Sequence, residues 1–369
     1  ASTAGETPAG TLQRTLHRMN QPMIDILADA WNHPDRKAFY YSAAGKPTAS
    51  ERLNAMPLWD WTPQPMARPS KASTCMFPLA LGCPPAFTSE GKEWIEPLIA
   101  DPAQVDDFTA PPVTEGRTGE VLEEIDRLVA EGGEDLRIVD PDTQSPLGVA
   151  ELMWDDSFYI ALIEHPEAVH TLLDKIADFI VDFVKEVQRR AGSQLNACGF
   201  PPVWSPSGGT MVADDTMSLI SPAMHREFSV PYLNRMAERC GPLYYHSCSW
   251  RAPYYDNIRE IKDCRSYNWN PGNSADPAEL IGEFSGEAVL ALHLVKDMHR
   301  DNDVLALGKD FEDECAFLRY WIDAMQGDTC LYVWFSNIIQ KPEQIEKIYD
   351  MLDEMGYTPA ARGLTQGHP

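Results

Sequence analysis

From about residue 118 onwards, segments whose apolar residues recur at helical spacing alternate with short, nearly continuous apolar runs. The longest periodic stretch opens at Glu164-His-Pro-Glu-Ala-Val-His, with proline in a first helical turn, where its missing N–H does no harm. Val169, Leu172, Leu173, Ile176, Phe179, Ile180, Phe183 and Val187 form one stripe on it, and Gly192 closes it. Before it, Gly119 to Glu131 reads as an amphipathic helix and Leu136 to Val139 as a short strand. After it, Ser221-Pro222 opens a helix whose Met224, Phe228 and Met236 face inward and which ends at Gly241. The rest of the pattern predicts strands at Leu243 to His246, Cys264 to Trp269, Ala288 to His293 and Cys330 to Phe335. Helices are predicted over Ala252 to Ile261, Pro277 to Phe284, Phe311 to Met325 and Pro342 to Met355. Short strands alternating with helices imply parallel βα units. Their repetition through most of the chain favours a closed (β/α)8 barrel, the TIM-barrel form of the α/β class, over an open doubly wound sheet.

The N-terminal part reads differently. Leu12, Leu16, Met19, Met23, Leu27 and Ala30 predict a helix from Thr11 to about Asn32, and a proline- and tryptophan-rich coil follows around Met56 to Pro69. Residues 1–70 are therefore expected to be an extension packed on a barrel of 71–362, with 363–369 as a tail.

Charge and cysteine usage narrow the function classes. A formal net charge of −26 speaks against nucleic acid and anionic membranes as partners. No apolar run is long enough to span a bilayer, and the first residues do not read as a signal peptide. Eight cysteines spread without paired spacing through a chain of 369 residues suit reduced thiols in a cytoplasm better than a disulfide framework. No G-x-G-x-x-G or G-x-x-x-x-G-K-[ST] occurs, which removes the common dinucleotide and P-loop readings.

In a (β/α)8 barrel the active site lies at the carboxyl ends of the strands. Those ends carry Asp214 and Asp215, His246 and Cys248, Asn268 and Asn270, His293, and Trp334 to Asn337. Residues i and i+2 of an extended strand point the same way, so His246 and Cys248 can converge on one point. Imidazole nitrogen and thiolate sulfur suit zinc. An isolated H-x-C is more often a half-buried cysteine beside a satisfied histidine, but carboxylates and a second histidine at the same mouth favour a metal site. Asp214 is a candidate oxygen ligand or the acceptor that orients His246. Asp214 and Asp215 are also candidate polar catalytic groups.

Several of these segments resemble the uroporphyrinogen decarboxylase superfamily. They are Asp214-Asp-Thr-Met-Ser-Leu-Ile-Ser-Pro-Ala-Met-His-Arg-Glu-Phe-Ser-Val-Pro-Tyr-Leu233, the His246-Ser-Cys248 stretch, and Asn270 to Leu280 with its ending Asp276-Pro-Ala-Glu-Leu. The likeness runs back through Glu164-His-Pro-Glu-Ala-Val-His and forward to Lys341-Pro-Glu-Gln-Ile345, covering roughly residues 75–358. The resemblance implies a (β/α)8 barrel. No counterpart of the Arg-rich N-terminal motif that porphyrinogen decarboxylases use for a polycarboxylate substrate is found; Arg14 and Arg18 lack its neighbours.

His246-Ser-Cys248 resembles instead the zinc motif of the methyltransferase branch, which moves methyl groups between small substrates, corrinoid proteins and thiols. That branch usually takes a third zinc ligand, a cysteine, from the last strand. Here the matching position falls near Phe335, and Cys330 begins the strand, roughly 15 Å from its mouth end. His293 is the expected substitute as metal ligand or catalytic group, with hydrogen bonding to substrate or a loop equally open. The resemblance thus implies zinc, a small methyl donor and a corrinoid held by a separate protein. Trp204, Trp250, Asn268, Asn270 and Trp334 are the expected substrate-binding residues. Together with Tyr254, Tyr255 and Trp269, the tryptophans could form a pocket for a methoxylated aromatic or simply pack the core. The alternatives are a metal-independent decarboxylase or lyase on the same barrel, and a noncatalytic binding subunit.

Overall fold

The computed structural model describes residues 23–25, 66–133, 136–197, 208–248, 251–269, 277–285, 287–295, 312–326, 330–336, 347–348, 350–351 and 354–355. For 23–25, 66, 277–278, 292–295, 314 and 330–336 it describes the backbone alone. Strands β7 (Thr210–Ala213), β8 (Leu243–His246), β9 (Cys264–Trp269), β10 (Val289–Val295) and β11 (Cys330–Ser336) lie side by side in sequence order, all parallel. A second parallel ladder holds β2 (Met66–Ala67), β5 (Arg137–Val139) and β6 (Leu195–Asn196). The two meet where Gln144 bridges Ala213 in parallel, with Ala213 N donating to Thr143 O at 2.9 Å and Ser145 N to Ala213 O at 2.7 Å. Every residue of β7 and β8 is buried, as expected of parallel strands covered on both faces.

Of the helix predicted over 11–32, the described residues Met23 to Asp25 form a strand instead, and the rest of that range lies outside the described residues. β1 (Met23–Asp25) pairs in parallel with β11, Met23 opposite Tyr332 and Asp25 opposite Trp334. Met23-Ile-Asp-Ile-Leu27 is also an apolar run, and pairing against β11 overrides a helical periodicity that is only a local preference. β1 and β2 both come from residues 1–70, so that region supplies sheet strands and is not only an outer extension. Among the described residues β1 and β2 are not paired, so the ladders show a parallel α/β sheet without displaying a closed ring.

The helices follow the pattern more closely. Segment α3 (Gly116–Gly132) is the helix predicted over 119–131, and α6 (Pro166–Ala191) buries the whole predicted stripe. Phe77 of α1 (Met76–Ala80) meets Phe179 and Phe183 of α6 edge-on, at 6.4 and 5.4 Å between ring centres. Unforeseen elements fill the stretch before α6. They are a hairpin of β3 (Pro85–Phe87) and β4 (Glu93–Ile95), and helices α2 (Gln104–Asp107), α4 (Pro146–Met153) and α5 (Phe158–Glu164).

The helix predicted from Ser221 to Gly241 is broken into α7 (Pro222–Phe228) and α8 (Val230–Cys240). Pro231 explains the break: its ring cannot follow a carbonyl four residues earlier, and it brings no N–H to continue the ladder. Beyond β8, the segment predicted as one helix over 252–261 is a 3₁₀ turn leading into α9 (Tyr255–Arg259). Helices α10 (Pro277–Phe284) and α11 (Glu314–Asp323) fall where expected. Gly209 has φ +95°, and a Cβ there would lie 1.9 Å from Pro242 O, so only glycine lets β7 start against β8. Among the described residues no helix is long and apolar enough to cross a membrane.

Candidate metal centre

β8 ends on His246, and the chain bends at Cys248, whose side chain comes back to the imidazole. Cys248 Sγ lies 3.4 Å from His246 Nε2. The third member is Asp215, first residue of the 3₁₀ turn Asp215–Leu219 that follows β7. Its Oδ1 is 3.7 Å from His246 Nε2 and accepts the Cys248 backbone N–H at 2.6 Å. One ligand atom from each of the three lies within 4.8 Å of the others. In a tetrahedral zinc site, bonds of about 2.0–2.3 Å put neighbouring ligand atoms about 3.3–3.6 Å apart. The three side chains are thus close to the spacing such an ion requires.

The imidazole is held from behind. His246 Nδ1 is 2.5 Å from Asn268 Oδ1, and Asn268 Nδ2 donates to Ala291 O at 2.6 Å. Burial pushes the Cys248 thiol far above its usual range, and the Asp215 carboxylate pushes it the same way. A cysteine with a histidine at its sulfur and an asparagine behind the ring also resembles a nucleophilic triad. Such a nucleophile needs a depressed thiol pKa, and the neighbouring carboxylate acts in the opposite sense. A cation among the three groups removes that conflict, because it favours both anions.

Asp214 has a different role from the one expected. It is fully buried and accepts four side-chain donors: Ser145 Oγ at 2.7 Å, Ser229 Oγ at 2.8 Å, His225 Nε2 at 3.0 Å and Tyr245 Oη at 3.2 Å. Asn257 Nδ2 approaches His225 Nδ1 at 3.1 Å, which leaves the His225 proton on Nε2, facing the carboxylate. Burial pushes the Asp214 carboxyl up, but the donors, His225 foremost, outweigh it and hold it below the ordinary carboxylate value. Asp214 is therefore neither a metal ligand nor the acceptor behind His246; that acceptor is Asn268. It anchors the site through its backbone N–H, which donates to His246 O at 2.8 Å. Ser145 serves both sides, since its Oγ also caps α4 by accepting Gly148 N at 3.0 Å.

The other predicted residues divide as follows. Asn268 is fully buried with both ends of its amide committed, so it is not a substrate contact. Tyr254, Tyr255 and Trp269 are core residues: Tyr254 donates to Ile220 O, Tyr255 packs edge-on against Phe284, and Trp269 lies 5.7 Å from Trp321. The backbone of His293 pairs with that of Trp334, two residues beyond Ala291, and the side chains of both lie outside the described residues. Trp204, Trp250 and Asn270 lie wholly outside them.

Three ionisable residues at neighbouring strand ends were missed. Asp140 and Asp142 follow β5 and Arg68 follows β2. The strand over 136–139 was legible, and applying the strand-end rule to it would have found both aspartates. Burial raises the Asp142 carboxyl, and Arg68 and His246 pull it back. Asp140 is pushed up to about 7 by burial, against Thr210 Oγ1 and Met211 N, which donate to its Oδ2 at 2.6 and 2.8 Å. With a folded value above the ordinary 3.8, Asp140 lowers stability as pH rises from about 4 to about 7, and the full penalty stands above that. Asp140→Asn keeps an acceptor for both donors. It is expected to raise the unfolding free energy at pH 8 by a few kcal/mol at most and to change nothing below about pH 4. Urea titrations at the two pH values check this, and equal effects at both would contradict it.

The geometry defines a candidate metalloenzyme centre on a parallel α/β sheet. A family model for uroporphyrinogen decarboxylase (URO-D) matches residues 72–291, more than half of the chain. The chain belongs to that family, whose superfamily is made of enzymes, decarboxylases and methyltransferases, on a TIM barrel. No curated protein matches it.

Proposed function

We infer that this chain is a zinc-dependent methyltransferase on a closed (β/α)8 barrel. It would take a methyl group from a small, methylated or methoxylated substrate and pass it to a corrinoid carried by a separate protein, or to a thiol. The observation that carries this reading is the convergence of Asp215, His246 and Cys248, with the Nε2 of His246 facing the other two. Those three residues would hold the ion, and His293 stands next along β10 as a further candidate. When bound, zinc supplies Lewis acidity towards a substrate heteroatom, or lowers the pKa of a substrate thiol.

The chain's own residues perform the remaining tasks. Asp215 and Cys248 supply two negative charges, leaving a divalent ion nearly neutral overall. Asp142, held by Gln144 Nε2 at 2.9 Å, lies within electrostatic reach of His246 and Asp215 and adds negative charge beside the site when ionised.

The test is elemental analysis of the purified protein joined to a methyl-transfer assay with free cob(I)alamin, across a panel of methyl ethers, amines and thiols. About one zinc per chain is expected, with turnover lost to chelator and restored by zinc. Turnover of a carboxylated substrate that survives chelation would return the protein to the decarboxylase or lyase class. A protein with neither zinc nor turnover would be a binding subunit.

A further inference from the structure

Parallel pairing places His246, Asn268 and Ala291 side by side on β8, β9 and β10, His246 opposite Asn268 and Asn268 opposite Ala291. The first two are joined through side chains, and the third contributes only its backbone carbonyl. That carbonyl can accept and cannot donate, so the end of the Asn268 amide facing it, at 2.6 Å, must be Nδ2. The end facing His246, at 2.5 Å, is then Oδ1, which also can only accept. His246 Nδ1 must therefore carry the proton. Whenever the ring is neutral, its lone pair is on Nε2, the atom 3.4 Å from Cys248 Sγ and 3.7 Å from Asp215 Oδ1.

Each assignment in this chain is forced by the one before it, and it starts from a backbone group that no side-chain rotation can alter. Asn268 has no exposed surface, so water does not compete for either end of its amide. We propose that Asn268 is a positioning residue which, read against the Ala291 carbonyl, fixes His246 in the Nδ1–H tautomer and aims its Nε2 lone pair between Cys248 and Asp215. Its purpose rests on the metal-binding reading above; its geometry does not. With the opposite tautomer the ring would present an N–H to the ion, and binding would first require moving that proton and reorienting the ring.

The experiment uses full-length protein labelled with ¹⁵N-histidine, with the His246 signals identified by their loss in His246→Gln. In metal-free wild type near pH 8, the Nδ1 resonance of His246 is expected at the protonated position and Nε2 at the bare position. In Asn268→Leu the preference should be lost, and zinc affinity, measured by competition with a chromophoric chelator, should fall about ten- to a hundredfold. Asn268→Asp, protonated on the oxygen that faces Ala291 O, keeps both a donor towards that carbonyl and an acceptor towards Nδ1–H, and is expected to restore the wild-type tautomer, which a purely space-filling role would not predict. Metal-free wild type with its proton on Nε2 would overturn the proposal, and so would Asn268→Leu with unchanged tautomer and affinity. The wild-type measurement decides even if the leucine variant does not fold. A protein that shows the Nδ1–H signature yet binds no zinc would refute the metal reading and leave the assignment standing.

Discussion

Replacing Asp214 with alanine is expected to lower the unfolding free energy by about 3–5 kcal/mol, a large share of the roughly 5–15 kcal/mol that keeps a typical domain folded. The substitution removes no exposed surface and no long side chain. Its cost comes from the donors it strands: Ser145, His225, Ser229 and Tyr245 lose a common acceptor. A buried donor without a partner costs about 1–3 kcal/mol. The total stays below the simple sum, because hydroxyls can turn to other acceptors. The carboxyl is held below its ordinary value, so its contribution is present above about pH 4 and is lost as pH falls through the folded value. The difference between variant and wild type should therefore be full at pH 7 and shrink in strong acid. Denaturant unfolding at pH 7 within 1 kcal/mol of wild type would show that the donors find other partners.

The second large effect is on metal. His246→Ala and Cys248→Ala should each weaken zinc binding by well over a hundredfold, since loss of a supporting residue alone typically costs ten- to a hundredfold. In practice zinc should drop from about one per chain to a trace after gel filtration. Asp215→Asn should be milder. Its carboxylate is 48% exposed, and an amide oxygen can still accept the Cys248 N–H, so a loss nearer tenfold is expected. Circular dichroism separates ligand loss from unfolding, because none of the three residues belongs to the large apolar core. Full zinc occupancy in Cys248→Ala would place the ion elsewhere and remove the support for methyl transfer drawn from this site.

The pattern of apolar positions located most of the helices and the strands from β8 to β11, because long periodic stripes and continuous apolar runs record burial directly. It read Met23 to Asp25 as part of a helix, where they form a strand. Met23-Ile-Asp-Ile-Leu27 satisfies both helical spacing and a short buried strand, and only the partner β11 decides between them. It also ran α7 and α8 together, although Pro231 marks the break.

At the site, the pair His246 and Cys248 could be read from spacing and from position at a strand end, since side chains two apart on an extended strand share a face. The third partner could not. Asp214 and Asp215 are adjacent and chemically identical, and the sequence offers no reason to prefer one as ligand. Backbone direction separates them. The chain enters a 3₁₀ turn at Asp215, sending that carboxylate to Cys248, while Asp214 turns inward onto Ser145, His225, Ser229 and Tyr245. Asn268 was similarly visible as a strand-end polar residue but not as the group behind His246, because that role depends on strand register and on the carbonyl of Ala291. By itself the sequence determined the α/β class, the family and the two residues joined by local geometry. Tertiary structure alone decided which carboxylate faces them and which hydrogen bond orients the ring, because both depend on contacts between segments far apart in the chain.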